Sequence, residues 1–346
     1  MRILVDITHP AHVHFFRNAL DEWRGRGHDV VVTARGKDIA LELLKDYGIG
    51  HRDLGPARAG LPGLARELLV RNWRLGKVVR EVRPDVLTAI GGIFIAQVGW
   101  LTGVPSVVFT DTENATLSNR LTFPFCTAVC TPRCYEAPVP RAKHRTYAGY
   151  HELAYTTPRR FTPDPSALAA FGLRPAEPFL VLRLVSWGAA HDVSDHGFTE
   201  VAGAVKRLSA YGRVVISSER RLPPVLEPLR AAAKPHLMHH LLAFARLFIG
   251  ESATMASESA TLGTPALFVS TSVRGYTNEQ EQRYGLTYTF SDPREGQRQA
   301  LEKAEEILSD PRAGALWEEK RQRMLADMTD VTDYVVDVVE SHARLR

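Results

Sequence analysis

Short apolar runs alternate with segments of helical period along this chain, and the alternation happens twice. Residues 3–7 read Ile-Leu-Val-Asp-Ile, a run too short for a helix and apolar enough for a strand buried on both faces. Phe15, Phe16, Ala19, Leu20 and Trp23 then recur at helical spacing, and Gly25 and Gly27 end that helix. Residues 29–33 give the next strand and 39–47 a short helix ended by Gly48. Strand–helix–strand–helix order calls for a parallel sheet. Residues 61–82 predict a longer amphipathic helix with Leu61, Leu64, Leu68, Leu69 and Trp73 on its apolar side. Strands follow at 85–89 and 105–110, with a helix over 93–101 between them, and a strand-like run lies at 128–131.

Prolines then crowd residues 132–178, which marks that stretch as a linker. The pattern restarts with strands at 179–184, 213–217, 247–250 and 265–269, and helices over 198–208 and 256–263. A last helix, 331–345, carries Val331, Tyr334, Val335, Val338, Val339 and His342 in 3–4 spacing. The fold class is therefore α/β, with two Rossmann-like parallel-sheet domains. The boundaries are 1–155 and 156–330, and the terminal helix 331–346 packs back on the domains. A chain of 346 residues, 45% hydrophobic and 24% charged, has material for two such cores, which excludes disorder as the default.

The formal net charge of +4 favours anionic partners, but no nucleic-acid-binding motif accompanies it. No apolar stretch approaches the roughly 18 residues of a spanning helix, and no signal-peptide pattern is seen, so a cytoplasmic protein is expected. Cys126, Cys130 and Cys134 stand at i, i+4 and i+8, so a helix there would put them on one face. They lack the paired spacing of a structural metal site and read as free thiols of a reducing compartment.

Ligands of open parallel sheets sit beyond the carboxyl ends of the strands, so the loops there carry the chemistry. The first, Thr8–Phe15, lacks a Gly-x-Gly-x-x-Gly pattern and offers His9, His12 and His14 with Pro10 near a helix start. A helix N-terminus lowers an imidazole pKa, which makes His12 the candidate base; a zinc site and plain helix capping are the alternatives. The second loop, Gly91-Gly92, allows close approach of a ligand, or is a simple strand-to-helix turn. The third, Thr110–Asn114, holds Asp111 and Glu113 for base chemistry or sugar hydroxyls, with helix capping by Asp111 or Asn114 as the alternative. In the fourth, residues 250–269, Ser252, Ala253 and Thr254 would open a helix whose first amides hold a diphosphate. Glu258, about a turn further on, suits ribose hydroxyls.

Residues 250–269 resemble the nucleotide-sugar motif of GT-B glycosyltransferases, in particular the N-acetylglucosaminyl transferases that complete the lipid-linked peptidoglycan precursor. Ser257-Glu258 and Gly263-Thr264-Pro265 carry the likeness, and the family's ribose-binding glutamate falls on Glu258. Asn278–Gln282 resembles a downstream segment in which a glutamine meets the donor, which implies Gln280 or Gln282. His12-Val13, Gly91-Gly92 and, loosely, Asp111, Glu113 and Asn114 follow in the family's order, though Thr8–Ala11 replaces its glycines. The Asp-x-x-His-Pro-Ala-His-Val-His-Phe opening and the Ile249–Glu258 segment are similar to an uncharacterised prokaryotic family. That family is placed with GT-B proteins and with non-hydrolysing UDP-N-acetylglucosamine 2-epimerases.

The resemblance implies a GT-B fold, two domains facing a central cleft, and metal-independent transfer from a nucleotide-sugar, UDP-linked, with no cofactor. Ser186 and Gly188 would close over the phosphates. A 2-epimerase using Asp111 and Glu113, and a non-catalytic nucleotide-sugar-binding protein, are the alternatives. The acceptor is unknown. A lipid-linked one would fit the basic residues of 58–82, Arg58, Arg66, Arg71, Arg74, Lys77 and Arg80, as a peripheral contact with the inner membrane face. The alternative is that the apolar side of 58–82 packs on the sheet and the basic side is merely solvated.

Overall fold

The computed structural model divides into two compact units, Met1–Tyr155 with Thr329–Arg346, and Thr156–Met328. The structure describes residues 1–36, 38–56, 61–174, 176–185, 198–232, 234–272 and 274–344, with backbone alone at 38 and 61–65.

The first unit runs β1 (Arg2–Ile7), α1 (Pro10–Gly25), β2 (Asp29–Gly36), α2 (Asp38–Asp46), β3 (Arg52–Pro56), α3 (Leu61–Val82), β4 (Val86–Ile90), α4 (Ile93–Thr102), β5 (Ser106–Phe109), α5 (Thr116–Thr122), β6 (Ala128–Pro132), β7 (His144–Tyr147) and α6 (Leu153–Thr156). Its seven strands pair in the order β3-β2-β1-β4-β5-β6-β7, every pair parallel. Leu4 at the centre is in register with Val31 and Leu87. One face of the sheet is covered by Leu75, Val78, Val79 and Val82 of α3 with Ile95 and Ala96 of α4. On α1, Val13, Phe16, Ala19, Leu20 and Trp23 are fully buried. A returning helix, Val331–Ser341, packs against α1.

The second unit runs β8 (Phe179–Leu184), α7 (Val201–Leu208), β9 (Arg213–Ser218), α8 (Met238–Phe244), β10 (Phe248–Gly250), α9 (Ala253–Thr261), β11 (Ala266–Val269), α10 (Gly275–Gln282), β12 (Thr287–Phe290), α11 (Gly296–Ser309) and α12 (Ala313–Asp327). Its five strands lie in the order β12-β11-β10-β8-β9, again all parallel. Gly250 lets β10 sit tight against β8, since a Cβ there would lie 2.6 Å from the Arg183 carbonyl oxygen. The last helix, α13 (Val331–Ser341), belongs to the first unit, where Thr332 donates to the Ala154 carbonyl and Val331, Val335, Val336 and Val339 are fully buried.

Each sheet has one point where the strand order reverses, and these are the positions where ligands of such sheets bind. In the first sheet it falls between β1 and β4, in the second between β8 and β10.

Two expectations change. Residues 132–178 are not a linker: they hold β7 and α6 and lead into β8. Leu69 and Trp73 do not face the sheet but are exposed, 73% and 58%. Beside Leu75, Val78, Val79 and Val82, the buried side of α3 also carries charge, with Arg71 bonded to Asp6 of β1 at 2.7 Å and Glu67 paired with Arg35. Cys130 lies in β6, as the strand-like run at 128–131 predicts; none of the three cysteines is in a disulfide, and Cys126 and Cys130 are buried. Among the described residues no helix is long and apolar enough to cross a membrane, and no cluster of His, Cys, Asp and Glu is arranged to hold a metal.

Candidate functional site

In the first unit the parallel strands bring the loops after β1, β4, β5 and β7 to one edge. His9 caps α1, its ring Nδ1 accepting from the Ala11 amide at 3.2 Å. His12 takes a long bond, 3.4 Å, from the Thr8 amide on its own Nδ1. A main-chain amide can only donate, so in both rings Nδ1 is the acceptor and the neutral imidazole carries its proton on Nε2. His14 is buried in packing instead, against Tyr47, whose hydroxyl lies 3.3 Å from its Nδ1, and Tyr155.

Gly91 and Gly92 both have left-handed backbone, φ 69° and 56°. Nothing lies within 4 Å of where a Cβ on Gly91 would stand, whereas one on Gly92 would meet Val108 at 2.6 Å. Gly91 thus leaves room beside the backbone at the reversal point, and Gly92 is fixed by packing.

Asp111 does not cap α5, whose cap residue is Ala115 with no side-chain bond, and neither does the exposed Asn114. Its carboxylate pairs with His151 Nδ1 at 3.0 Å and accepts from the Thr112 hydroxyl at 3.0 Å. Burial works against the charge on Asp111, but His151 and the Thr112 bond outweigh it and hold the carboxyl below its usual range. Burial likewise opposes a charged His151, yet Asp111 and then Glu152 raise its pKa above the ordinary histidine value. His151 sits against the Phe15 ring at 4.6 Å and lies parallel to Tyr147. Glu113, beside the pair in sequence, is half-buried. Sequence reasoning passed over His151; the only signal was a His-Glu pair, 151–152, just beyond a run of polar strand residues.

In the second unit Ser252 caps α9, its hydroxyl accepting from the Met255 amide, and Ala253 and Thr254 form the first turn at the reversal point. Glu258 is buried and bonded to His239 of α8 at 2.9 Å. Gln280 is also buried and donates to Ser257 at 2.7 Å, while its Oε1 has no partner; Gln282 is exposed. Glu251 accepts from the amides of Val185 (2.7 Å) and Phe198 (2.6 Å), and pairs with Arg220 at 3.1 Å. It thereby ties down the backbone on either side of residues 186–197. Ser186 and Gly188 lie in that stretch, outside the described residues. Arg183 of β8 faces Glu219, Glu258 and Glu251, and donates to Ser217. Arg183, His239 and Glu251 were not anticipated, although an arginine inside a strand buried on both faces was a signal for the first.

Residues 1–155 match the family described as Protein of unknown function (DUF354). These are the residues of the first unit without its returning helix. An uncharacterized protein of Methanocaldococcus jannaschii is 22% identical over 130 residues, 38% of each chain. The UDP-N-acetylglucosamine–N-acetylmuramyl-(pentapeptide) pyrophosphoryl-undecaprenol N-acetylglucosamine transferase of Geobacillus kaustophilus is 33% identical over 61 residues, 17% of each. The chain thus spans well under half the length of the curated relatives it matches. Among solved structures, UDP-GlcNAc 2-epimerase from Neisseria meningitidis bound to UDP-GlcNAc superposes with a TM-score of 0.67 at 12% identity, covering 99% of this chain and 100% of that one. Spinosyn rhamnosyltransferase SpnG complexed with thymidine diphosphate gives 0.61 at 16% identity, covering 98% and 100%. In fold, the two parallel-sheet units match GT-B glycosyltransferase structures.

Proposed function

We propose that this protein is a glycosyltransferase-like enzyme that binds a UDP-linked sugar on its second unit and transfers the sugar without a metal or cofactor. The observation that carries this reading is Glu258, a buried carboxylate about one turn into α9, whose opening residues Ser252–Thr254 start at the reversal point of the sheet. Helix N-termini bind diphosphate through their unsatisfied amides, and in the glycosyltransferases that this segment resembles the glutamate at this place binds the ribose. The short match to the Geobacillus transferase supports the same donor class. Calorimetry with UDP, UDP-N-acetylglucosamine and thymidine diphosphate tests it. Glu258→Gln should weaken UDP by about 1.5–3 kcal/mol, the worth of a charge-assisted bond; equal affinity in parent and variant would remove the donor assignment.

A 2-epimerase is the second reading, favoured by the structural likeness to the Neisseria enzyme. Incubation with UDP-N-acetylglucosamine alone separates the two, since an epimerase needs no acceptor; a protein that binds donor and turns nothing over would be a sensor. A lipid-linked acceptor finds support in the exposed Leu69 and Trp73, with Lys77 stacked on the Trp73 ring at 3.7 Å and Arg66, Arg74 and Arg80 exposed nearby on α3. The side chains of Arg58, Leu61 and Leu64 lie outside the described residues.

A further inference from the structure

Helix α8 runs into β10 and α9 leaves it, and the two helices meet through one pair of side chains. His239 Nε2 of α8 lies 2.9 Å from Glu258 Oε1 of α9, and both side chains are buried, 2% and 6% exposed. An ionised carboxylate can only accept, so the neutral His239 ring carries its proton on Nε2 and donates from it. The ring stands on a fixed support. Thr264, just past α9, donates to the Leu242 carbonyl of α8 at 2.7 Å. His240, the next residue of α8, accepts from the Asp164 amide at 2.9 Å, and the Phe161 ring lies edge-on to His239 at 6.1 Å. From β8, the Arg183 guanidinium faces the same carboxylate.

A carboxylate this deeply buried is costly to keep charged without such partners. While it is charged, whatever it meets must donate: sugar hydroxyls fit, and phosphate oxygens do not. We propose that His239 is a positioning residue that fixes the Glu258 carboxylate for the ribose of the nucleotide, and so governs recognition of the nucleoside half of the donor. The proposal rests on the donor reading above. It lies wholly within the second unit, where α8, α9 and β8 converge on one carboxylate.

Calorimetry of the full chain with UDP tests this. Leucine fills the place of the ring but cannot donate, so His239→Leu should weaken UDP about 10- to 100-fold, the worth of a charge-assisted bond. Glutamine brings a donor to the position of Nε2, so His239→Gln should recover most of that loss; a role in packing alone would favour leucine over glutamine. On the background of Glu258→Gln, His239→Leu should cost little more, because the two residues act through one contact. Parent-like affinity in His239→Leu overturns the proposal. So does an equal loss in the leucine and glutamine variants, or a loss that adds in full to that of Glu258→Gln. Should the leucine variant not fold, nitrogen-15 NMR of the histidine-labelled parent decides: His239 should carry a proton on Nε2, and a neutral ring protonated on Nδ1 overturns the proposal. A parent that does not bind UDP overturns the donor reading and this proposal with it. A parent that binds UDP and is weakened by Glu258→Gln but not by His239→Leu overturns this proposal alone.

Discussion

The ring nitrogen that already has a partner decides what a histidine can do with the other. His9 and His12 accept on Nδ1 from main-chain amides, whereas His151 donates from Nδ1 to the Asp111 carboxylate. The pair has a consequence for stability against pH. Asp111, held below its usual range, contributes stability that is present above the ordinary aspartate pKa and lost as pH falls through its own lowered value. His151, raised above the usual value, contributes stability that is complete below the ordinary histidine pKa and lost as pH rises through its own. The pair therefore acts in full between about pH 4 and 6.5, the two ordinary values. Thermal midpoints of parent and Asp111→Asn should differ most in that window and converge toward alkaline pH; a constant gap across the range would mean that the two groups do not titrate as a pair. The candidates His12, Asp111 and Glu258 were legible because they follow strands. Their partners His151 and His239 were not, because a histidine far along the chain carries no local mark of what it meets.

At the scale of elements, apolar strands announce themselves, the edge strand β9 among them, and polar edge strands do not. β1, β4, β5, β8 and β11 are apolar runs, and the pattern located them. β3 (Arg-Asp-Leu-Gly-Pro), β7 (His-Arg-Thr-Tyr) and β12 (Thr-Tyr-Thr-Phe) are all sheet edges, half solvated, with polar residues where a central strand would have valine. Helix α3 illustrates a second blind spot, since it docks partly through a buried charge. Arg71 is 2% exposed, bonds Asp6 and lies over the Phe94 ring, while Thr33 donates to the same carboxylate. Asp6→Ala would strand that guanidinium and should cost about 3–5 kcal/mol, read as a lower unfolding midpoint. Replacing both with apolar residues should recover much of the loss. The glycine pair makes a finer comparison. Gly91→Ala meets only the left-handed backbone, roughly 1–2 kcal/mol, whereas Gly92→Ala adds a clash with Val108, so its midpoint should fall further. Equal losses would mean that Val108 moves aside freely.

Across the whole molecule, the fold leaves apolar side chains uncovered on α3. Leu69 and Trp73 were expected against the sheet and instead stand out from α3 among basic side chains. If the acceptor is carried by a membrane, the protein should co-sediment with anionic vesicles in a salt-sensitive way, and Leu69→Ser with Trp73→Ser should abolish it. No sedimentation at low salt would leave a water-soluble acceptor as the better reading. The sequence by itself determined that there are two parallel α/β units, because periodicity of apolar residues is a local property written in every strand and helix. It also determined which loops follow the strands, and so where ligand chemistry belongs. Only the tertiary structure decided the strand order, and with it the two reversal points at Thr8–Gly91 and Val185–Glu251. It alone decided that the last helix returns to the first unit, and that Asp111 meets His151 and Glu258 meets His239. Such pairings join residues far apart in the chain: packing of the elements brings them together, and a buried charge left without its partner is costly, neither of which a short window of sequence contains.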